Sequence, residues 1–186
     1  SHGAGFSADI RAMDTLNFNI DTRIMARENK DASVLDGYRN RLTVNASYIA
    51  SETTQIQVSS TVSTEETKTN IQNNRDYGLN ISINKTFKLS FNCSQEPPVF
   101  YCLKNLPLSA GLSFGGSFRE YAGPNPTIDP DTTRNDYTFR FSPSLTIPAG
   151  ETMAILLSGG LTRVDSNIPN SEYDNISVTV GISKQF

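Results

Sequence analysis

The stretch NISVTVGISKQF, Asn175 to Phe186, sets polar against apolar residues at every second position. Ile176, Val178, Val180 and Ile182 share one parity; Ser177, Thr179, Gly181 and Ser183 share the other. Successive side chains of a strand point to opposite faces, so the segment predicts a strand with one greasy face and one wet face. Such patterning, carried through to a phenylalanine, contrasts with the fraying usual near chain ends.

The same period runs through most of the 186 residues, and helical period is nearly absent. Eight strands are predicted. The first spans Leu16 to Ala26, with Leu16, Phe18, Ile20 and Ile24 opposed to Asn17, Asn19, Asp21 and Arg23. The next three cover Tyr38 to Ala50, Gln55 to Thr64 and Tyr77 to Leu89. The remaining four cover Leu108 to Tyr121, Tyr137 to Ile147, Thr152 to Val164, and the terminal segment opened by Tyr173. Pro143 interrupts the sixth, because proline cannot donate to a ladder, and a bulge is the expected remedy. Residues 1–14 read as a lead-in that begins with a cloning remnant, Ser1-His2, and residues 15–186 as one β domain. Within the lead-in, Ser7 to Met13 reads equally as an extra strand, a plug or a link to a further domain.

Composition narrows the function classes. A formal charge of -3 and a pI near 5.2 leave no basic stripe for phosphates, which argues against nucleic acid. Mean hydropathy is -0.37, and the longest apolar run, Met153 to Leu157, is far below the ~18 residues of a transmembrane helix. Any membrane-spanning reading is therefore a β-barrel, whose alternation keeps mean hydropathy low. Connections support that reading. Ser51–Thr54 and Pro148–Glu151 are tight, whereas Glu28–Gly37, Glu65–Asp76, Ala122–Asp136 and Asp165–Asp174 are longer and fall at the opposite rim. The link after the fourth strand is long on the short side, and it carries Cys93 and Cys102, for which a local disulfide is expected in an oxidising compartment. Tyr38, Tyr77 and Tyr137 open strands at the long-loop rim and face outward by alternation, as interfacial aromatics do.

The terminal strand resembles the assembly signal of bacterial outer-membrane β-barrel proteins. Thr179, Gly181 and Phe186 match its polar residue, glycine and closing aromatic, while Lys184 departs from its usual hydrophobic. The resemblance implies an antiparallel up-and-down transmembrane β-barrel of eight strands, or the last part of a larger one. It further implies insertion by the barrel-assembly machinery and contact with membrane lipids and lipopolysaccharide.

The inward parity is mainly Ser, Thr, Asn and Gly, with charge from Asp21, Arg23, Arg41, Arg119 and Arg140 and, less securely placed, Arg163. A salt-bridged hydrated plug is the default expectation for eight strands; a narrow polar conduit is the sharper one. Catalysis has little to work with, since His2 is the one histidine and supports neither a triad nor a zinc site. Asp129-Pro130-Asp131 in a long loop reads as a solvated acidic loop rather than a cation site. Five N-x-S/T matches, at Asn45, Asn80, Asn84, Asn92 and Asn175, are expected by chance in so Asn-, Ser- and Thr-rich a chain.

The sequence thus predicts a non-enzymatic outer-membrane barrel with no cofactor or metal, a surface-interaction or structural protein that could join a larger envelope complex. A transport component is the first alternative. A soluble extracellular β-sandwich is the second, because alternation alone also describes a sheet with one buried face.

Overall fold

The computed structural model describes residues 2–28, 36–69, 71–89, 106–149 and 152–184. They form one antiparallel sheet of nine strands in strict chain order: β1 (His2–Met13), β2 (Leu16–Arg27), β3 (Gly37–Ser51), β4 (Thr54–Thr67), β5 (Asn74–Leu89), β6 (Leu106–Tyr121), β7 (Asn135–Pro148), β8 (Met153–Ser166) and β9 (Tyr173–Lys184). No second layer packs against this sheet among the described residues, so leucines and phenylalanines do not meet across a sandwich.

Two expectations need correction. The strand count is nine, because the lead-in forms a full strand whose Phe6, Ala8 and Ile10 lie in register with Thr22, Ile20 and Phe18. Glycines and alanines at Gly3, Ala4, Gly5 and Ala8 weaken its alternation, which is why its pattern is faint. The sheet is also open rather than closed: β1 pairs with β2 and β9 with β8, and the two edges do not meet.

The faces are inverted relative to a water-soluble protein. Ser63 is 5% exposed while its neighbour Val62, on the other face, is 39% exposed. The polar face is therefore the more enclosed one. Only Val164 and Ile168 are buried apolar residues among those described, whereas Ile176, Val178, Val180 and Ile182 stand 69–80% exposed. The solvent-accessible surface is 13452 Å² for 20.4 kDa, against roughly 8,800 Å² for a folded soluble monomer of that mass.

Strands of 12 to 16 residues are two to three times the globular norm of about 5–6. At ~3.3 Å per residue they span ~40 Å or more, enough for a tilted membrane crossing. Tilt is written into the register. From β3 to β5 the outermost apolar row runs level, through Leu42, Val62 and Tyr77. At β8 it steps down. The row of Tyr77 passes through Phe118 and Tyr137 and ends on Asp165. On β5 the apolar parity runs from Tyr77 to Phe87, interrupted by Lys85; on β9 it runs from Ile176 to Ile182 before Lys184. Lys85 lies in the row of Ala110, Leu145, Leu157 and Val180, so Phe87 and Ile182 each stand two residues beyond that row and the lower edge is level from β5 to β9. The upper edge drops by four residues at β8, from the row of Tyr137 to that of Leu161, as it does where a level belt crosses tilted strands.

Pro143 needs no bulge. Phe141 pairs with Leu161 and Ser144 with Ser158, so the residue sum is 302 on both sides and the register is unbroken. Gly159 lies opposite, and a Cβ there would come within 3.3 Å of the Pro143 ring. Glycine thus gives the proline room where the ladder lacks a donor. Gly37 is the tightest backbone approach: a Cβ would overlap the Glu66 carbonyl oxygen and lie 2.8 Å from Thr67 Cα. Gly37→Ala is expected to destabilise the rim of β3 and β4 by ~1–3 kcal/mol. Equilibrium urea unfolding measures this, and an unchanged midpoint would contradict the close packing.

Candidate functional site on the polar face

The most chemically loaded region is a groove of about 310 Å³ on the polar face, lined by β3 to β7. Its arginines are Arg39, Arg41, Arg119 and Arg140; its one carboxylate is Asp76; its hydroxyls come from Ser59, Thr61, Ser63 and Ser117. Register sets their depth. Arg41, Ser63, Asp76 and Arg119 form one row across the sheet. Arg39 lies one row nearer the long-loop rim, beside Glu65. Arg140 lies two rows further in, beside Gly115 and Asn80.

Arg119 donates to Asp76 through Nε at 3.0 Å and Nη2 at 2.6 Å, converging on one carboxylate oxygen. Asp136, its partner in register on β7, is 5% exposed and is gripped by Arg134, Nε to Oδ1 at 2.8 Å and Nη2 to Oδ2 at 2.7 Å. Arg134 also lies over the Tyr121 ring at 5.0 Å, a stacked guanidinium on a planar partner. Glu65 stands 3.9 Å from Arg27 and 4.0 Å from Arg39. Asp21 pairs with Arg23 at 3.0 Å. Among the described residues no carboxylate reaches Arg41 or Arg140 within ion-pair distance, and both are exposed to the groove.

Further along the face charge is sparse: Arg140's row runs through Asn80, Ser59, Asn45 and Asn19 to Asp9, and Arg11 and Lys88 lie deeper on the same parity. Asn45 donates to Asn19 at 3.1 Å and Asn19 to Asp9 at 2.8 Å; Gln55 donates to Ser47 at 2.8 Å and Ser113 to Asn80 at 2.9 Å. These ladders satisfy amides and hydroxyls across strands and leave the face wettable.

The expected interior set therefore divides. Asp21, Arg23, Arg41, Arg119 and Arg140 all lie on the polar face, but Asp21 with Arg23 pair on β2 while the other three line the groove. Arg163 does not join them: it shares the apolar parity with Phe139 and pairs with Asp165 at 2.8 Å. Asp76, Asp136, Arg39 and Arg134 were not singled out from the sequence, although the alternation extended past Tyr77 and Tyr137 gives Asp76 and Asp136 the polar parity. Tyr38, Tyr77 and Tyr137 are on the apolar face, and Tyr77 and Tyr137 flank Phe118 in one row. Phe118 and Tyr137 stack at 4.9 Å. Thr179 and Gly181 lie on the polar face of β9; Phe186, Cys93 and Cys102 lie outside the described residues.

The long loops are shorter than expected. β4 continues to Thr67 and β5 starts at Asn74, leaving Lys68 to Asn73 as the link. Strands leave the apolar band before they end, and there both faces are polar, so period two vanishes from the sequence while the ladder continues. In the 122–134 loop, Asp129 Oδ1 accepts the amide of Asp131 at 3.0 Å and of Thr132 at 3.2 Å. The carboxylate folds its own turn instead of standing free.

The chain matches no family model, no curated protein and no solved structure at a significant level.

Two expected outcomes follow from these contacts. Asp136→Ala strands a half-buried guanidinium and is expected to cost ~3 kcal/mol. Asp14→Ala, at a fully hydrated pair with Arg11, should leave the denaturation midpoint unmoved. Equal shifts would remove the distinction. The Asp131 amide, with Thr132 second, holds the Asp129 carboxyl below the ordinary aspartate range. A depressed carboxyl stabilises the turn above the unfolded value of ~3.9 and loses that contribution as pH falls through its folded pKa. A carboxyl-carbon NMR titration of Asp129 should have its midpoint below ~3.9; a midpoint at or above it would show the turn to be absent.

Proposed function

We propose that the chain is a sector of a bacterial outer-membrane β-barrel, its apolar face against lipid and its polar face lining an enclosed interior. The observation that carries this reading is the inversion of burial: Ser63 and Asp136 buried and most polar-face serines and threonines of β3 to β6 half-buried, with valines, isoleucines and phenylalanines displayed. In water, an apolar surface of this extent is an aggregation liability; in hydrocarbon it is the ordinary outer wall of a barrel. The drop of the band's upper edge at β8 supports it, because a level membrane crosses tilted strands stepwise. Lys85 interrupts the band near the short-turn rim, where its ammonium reaches over Phe87 at 5.2 Å toward the headgroup level.

In this reading the protein serves as a membrane-embedded scaffold whose rim loops meet lipopolysaccharide and neighbouring surface molecules. It reaches its membrane through the barrel-assembly machinery. Passage of a polar solute is a second reading, favoured by one observation. The groove floor is Gly78, Gly115, Ser59, Thr61 and Ser117, small residues that leave it open rather than plugged.

The two faces provide the test, because adjacent residues face opposite media. Ile81 lies mid-band, in a row with Val58, Phe114, Phe141 and Leu161. Ile81→Arg should disfavour folding into lipid vesicles by ~2–4 kcal/mol, and Ser82→Arg by much less. Vesicle flotation combined with heat-modifiable gel mobility reads both. The reverse order, or stable monodisperse protein in detergent-free buffer, would overturn the membrane reading.

A further inference from the structure

We propose that the polar-face groove is a binding site for oxyanions, phosphate or carboxylate groups of a small solute, held by Arg41 and Arg140 with Arg119 between their strands. The inference rests on the reading of this face as an interior sheltered from lipid, and it names what that interior takes.

Charge accounting comes first. Each carboxylate near the groove on this face is already engaged: Asp76 by Arg119, Asp136 by Arg134, Asp21 by Arg23, and Glu65 between Arg27 and Arg39. Arg41 and Arg140 have no such partner among the described residues, yet they line the same concavity. Two uncompensated guanidiniums lining one groove repel each other, and an anion between them removes that cost. A chain with an overall charge of -3 thus concentrates positive charge at one place on its enclosed face.

Shape comes second. Gly115 sits beside Arg140 in register, where a Cβ would meet Asn80 Oδ1 at 3.0 Å and Arg140 Cβ at 3.7 Å. At Gly78 a Cβ would meet nothing closer than 3.8 Å. Glycine at these two positions keeps the space in front of the guanidiniums free. Ser59, Thr61 and Ser117 line the same space with hydroxyls able to donate to an oxygen-rich ligand. Guanidinium forks grip such oxygens bidentately, which is why phosphate or carboxylate fits better than chloride.

The cations also descend in order. Arg39 lies nearest the rim, Arg41 and Arg119 one row in and Arg140 two rows beyond, and on the groove's own strands mainly Ser, Thr, Asn, Gln and Gly follow as far as Lys88. An anion drawn from the long-loop side meets successive guanidiniums before it reaches a mainly neutral wall.

The test uses inorganic pyrophosphate and the full chain folded in detergent, by equilibrium dialysis at about 50 mM salt to limit screening. Saturable binding is expected, weakened about tenfold by each of Arg41→Gln and Arg140→Gln. Arg11→Gln, on the same face but outside the groove, should leave it unchanged. Asp76→Asn should strengthen binding severalfold by freeing Arg119, a gain that mere structural damage cannot produce. Absence of saturable binding by protein that retains heat-modifiable mobility would overturn the proposal, as would an equal loss in Arg11→Gln. Flotation with vesicles needs no anion, so protein that floats but does not bind refutes the anion site alone. Protein that binds but does not float refutes the membrane reading alone.

Discussion

Unbroken antiparallel register is the constraint on which every other feature of this sheet depends. Because side chains alternate, one slipped residue would send a whole strand's apolar set to the polar face. The two irregularities, between Arg11 and Met13 and between Ile49 and Ser51, fall at tight turns on the short-turn rim. Across the apolar band itself the parity holds from Phe6 on β1 to Val180 on β9. Hydroxyl and amide ladders on one face, and Phe114 against Phe141 at 4.9 Å on the other, are consequences of that single alignment. Even Pro143 in mid-strand is absorbed by an opposing glycine, so that Phe141 and Ser144 on either side keep the same register.

Much of this was legible in the sequence, and the reason is the amplitude of the pattern. Strands β2 to β9 alternate large apolar with small polar residues, and their existence, order and facing follow from period two. Three things were not legible. β1 substitutes glycine and alanine where larger residues would announce a face. Strand ends beyond the band carry polar residues on both parities, so Thr67, Asn74 and Asn135 read as loop. Pairing between charged residues depends on partners distant in the chain, such as Asp76 and Arg119, and only register brings them together. Arg163 shows the limit of parity reasoning in detail. Its parity follows from Leu161, and only the downward step of the band at β8 explains why a charge sits in Phe139's row.

The enclosed face and the displayed face pose opposite energetic problems. A soluble domain offsets conformational entropy chiefly by covering apolar area, and this sheet covers little of its own. Between its two open edges the backbone hydrogen bonds are satisfied internally, strand by strand, while the apolar wall is left to the surroundings. That division suits a bilayer, where the surroundings are themselves apolar and the polar backbone is what must be hidden. It also explains how the interior can keep glycines, hydroxyls and uncompensated arginines. Stability in such a wall does not come from a packed core, so the inner face is free to be shaped for a solute.

The open edges sharpen the membrane reading into a statement about closure. In hydrocarbon each unpaired edge N–H or C=O costs several kcal/mol, so β1 and β9 both need partners there. Eight antiparallel steps separate them, and they therefore run in the same direction. Pairing β1 directly with β9 would create one parallel ladder in an otherwise antiparallel wall. Two copies joined about an axis along the barrel would create two such ladders, since rotation about that axis preserves strand direction. A wall that stays antiparallel throughout requires an odd number of further strands between β9 and β1, which gives an even total. The step in the band adds a second condition: strands that complete the wall must join the apolar edge at Ile176 on β9 to that at Phe6 on β1, or the belt would not meet itself. Direction and belt position together limit the ways in which this nine-stranded sheet can become a barrel.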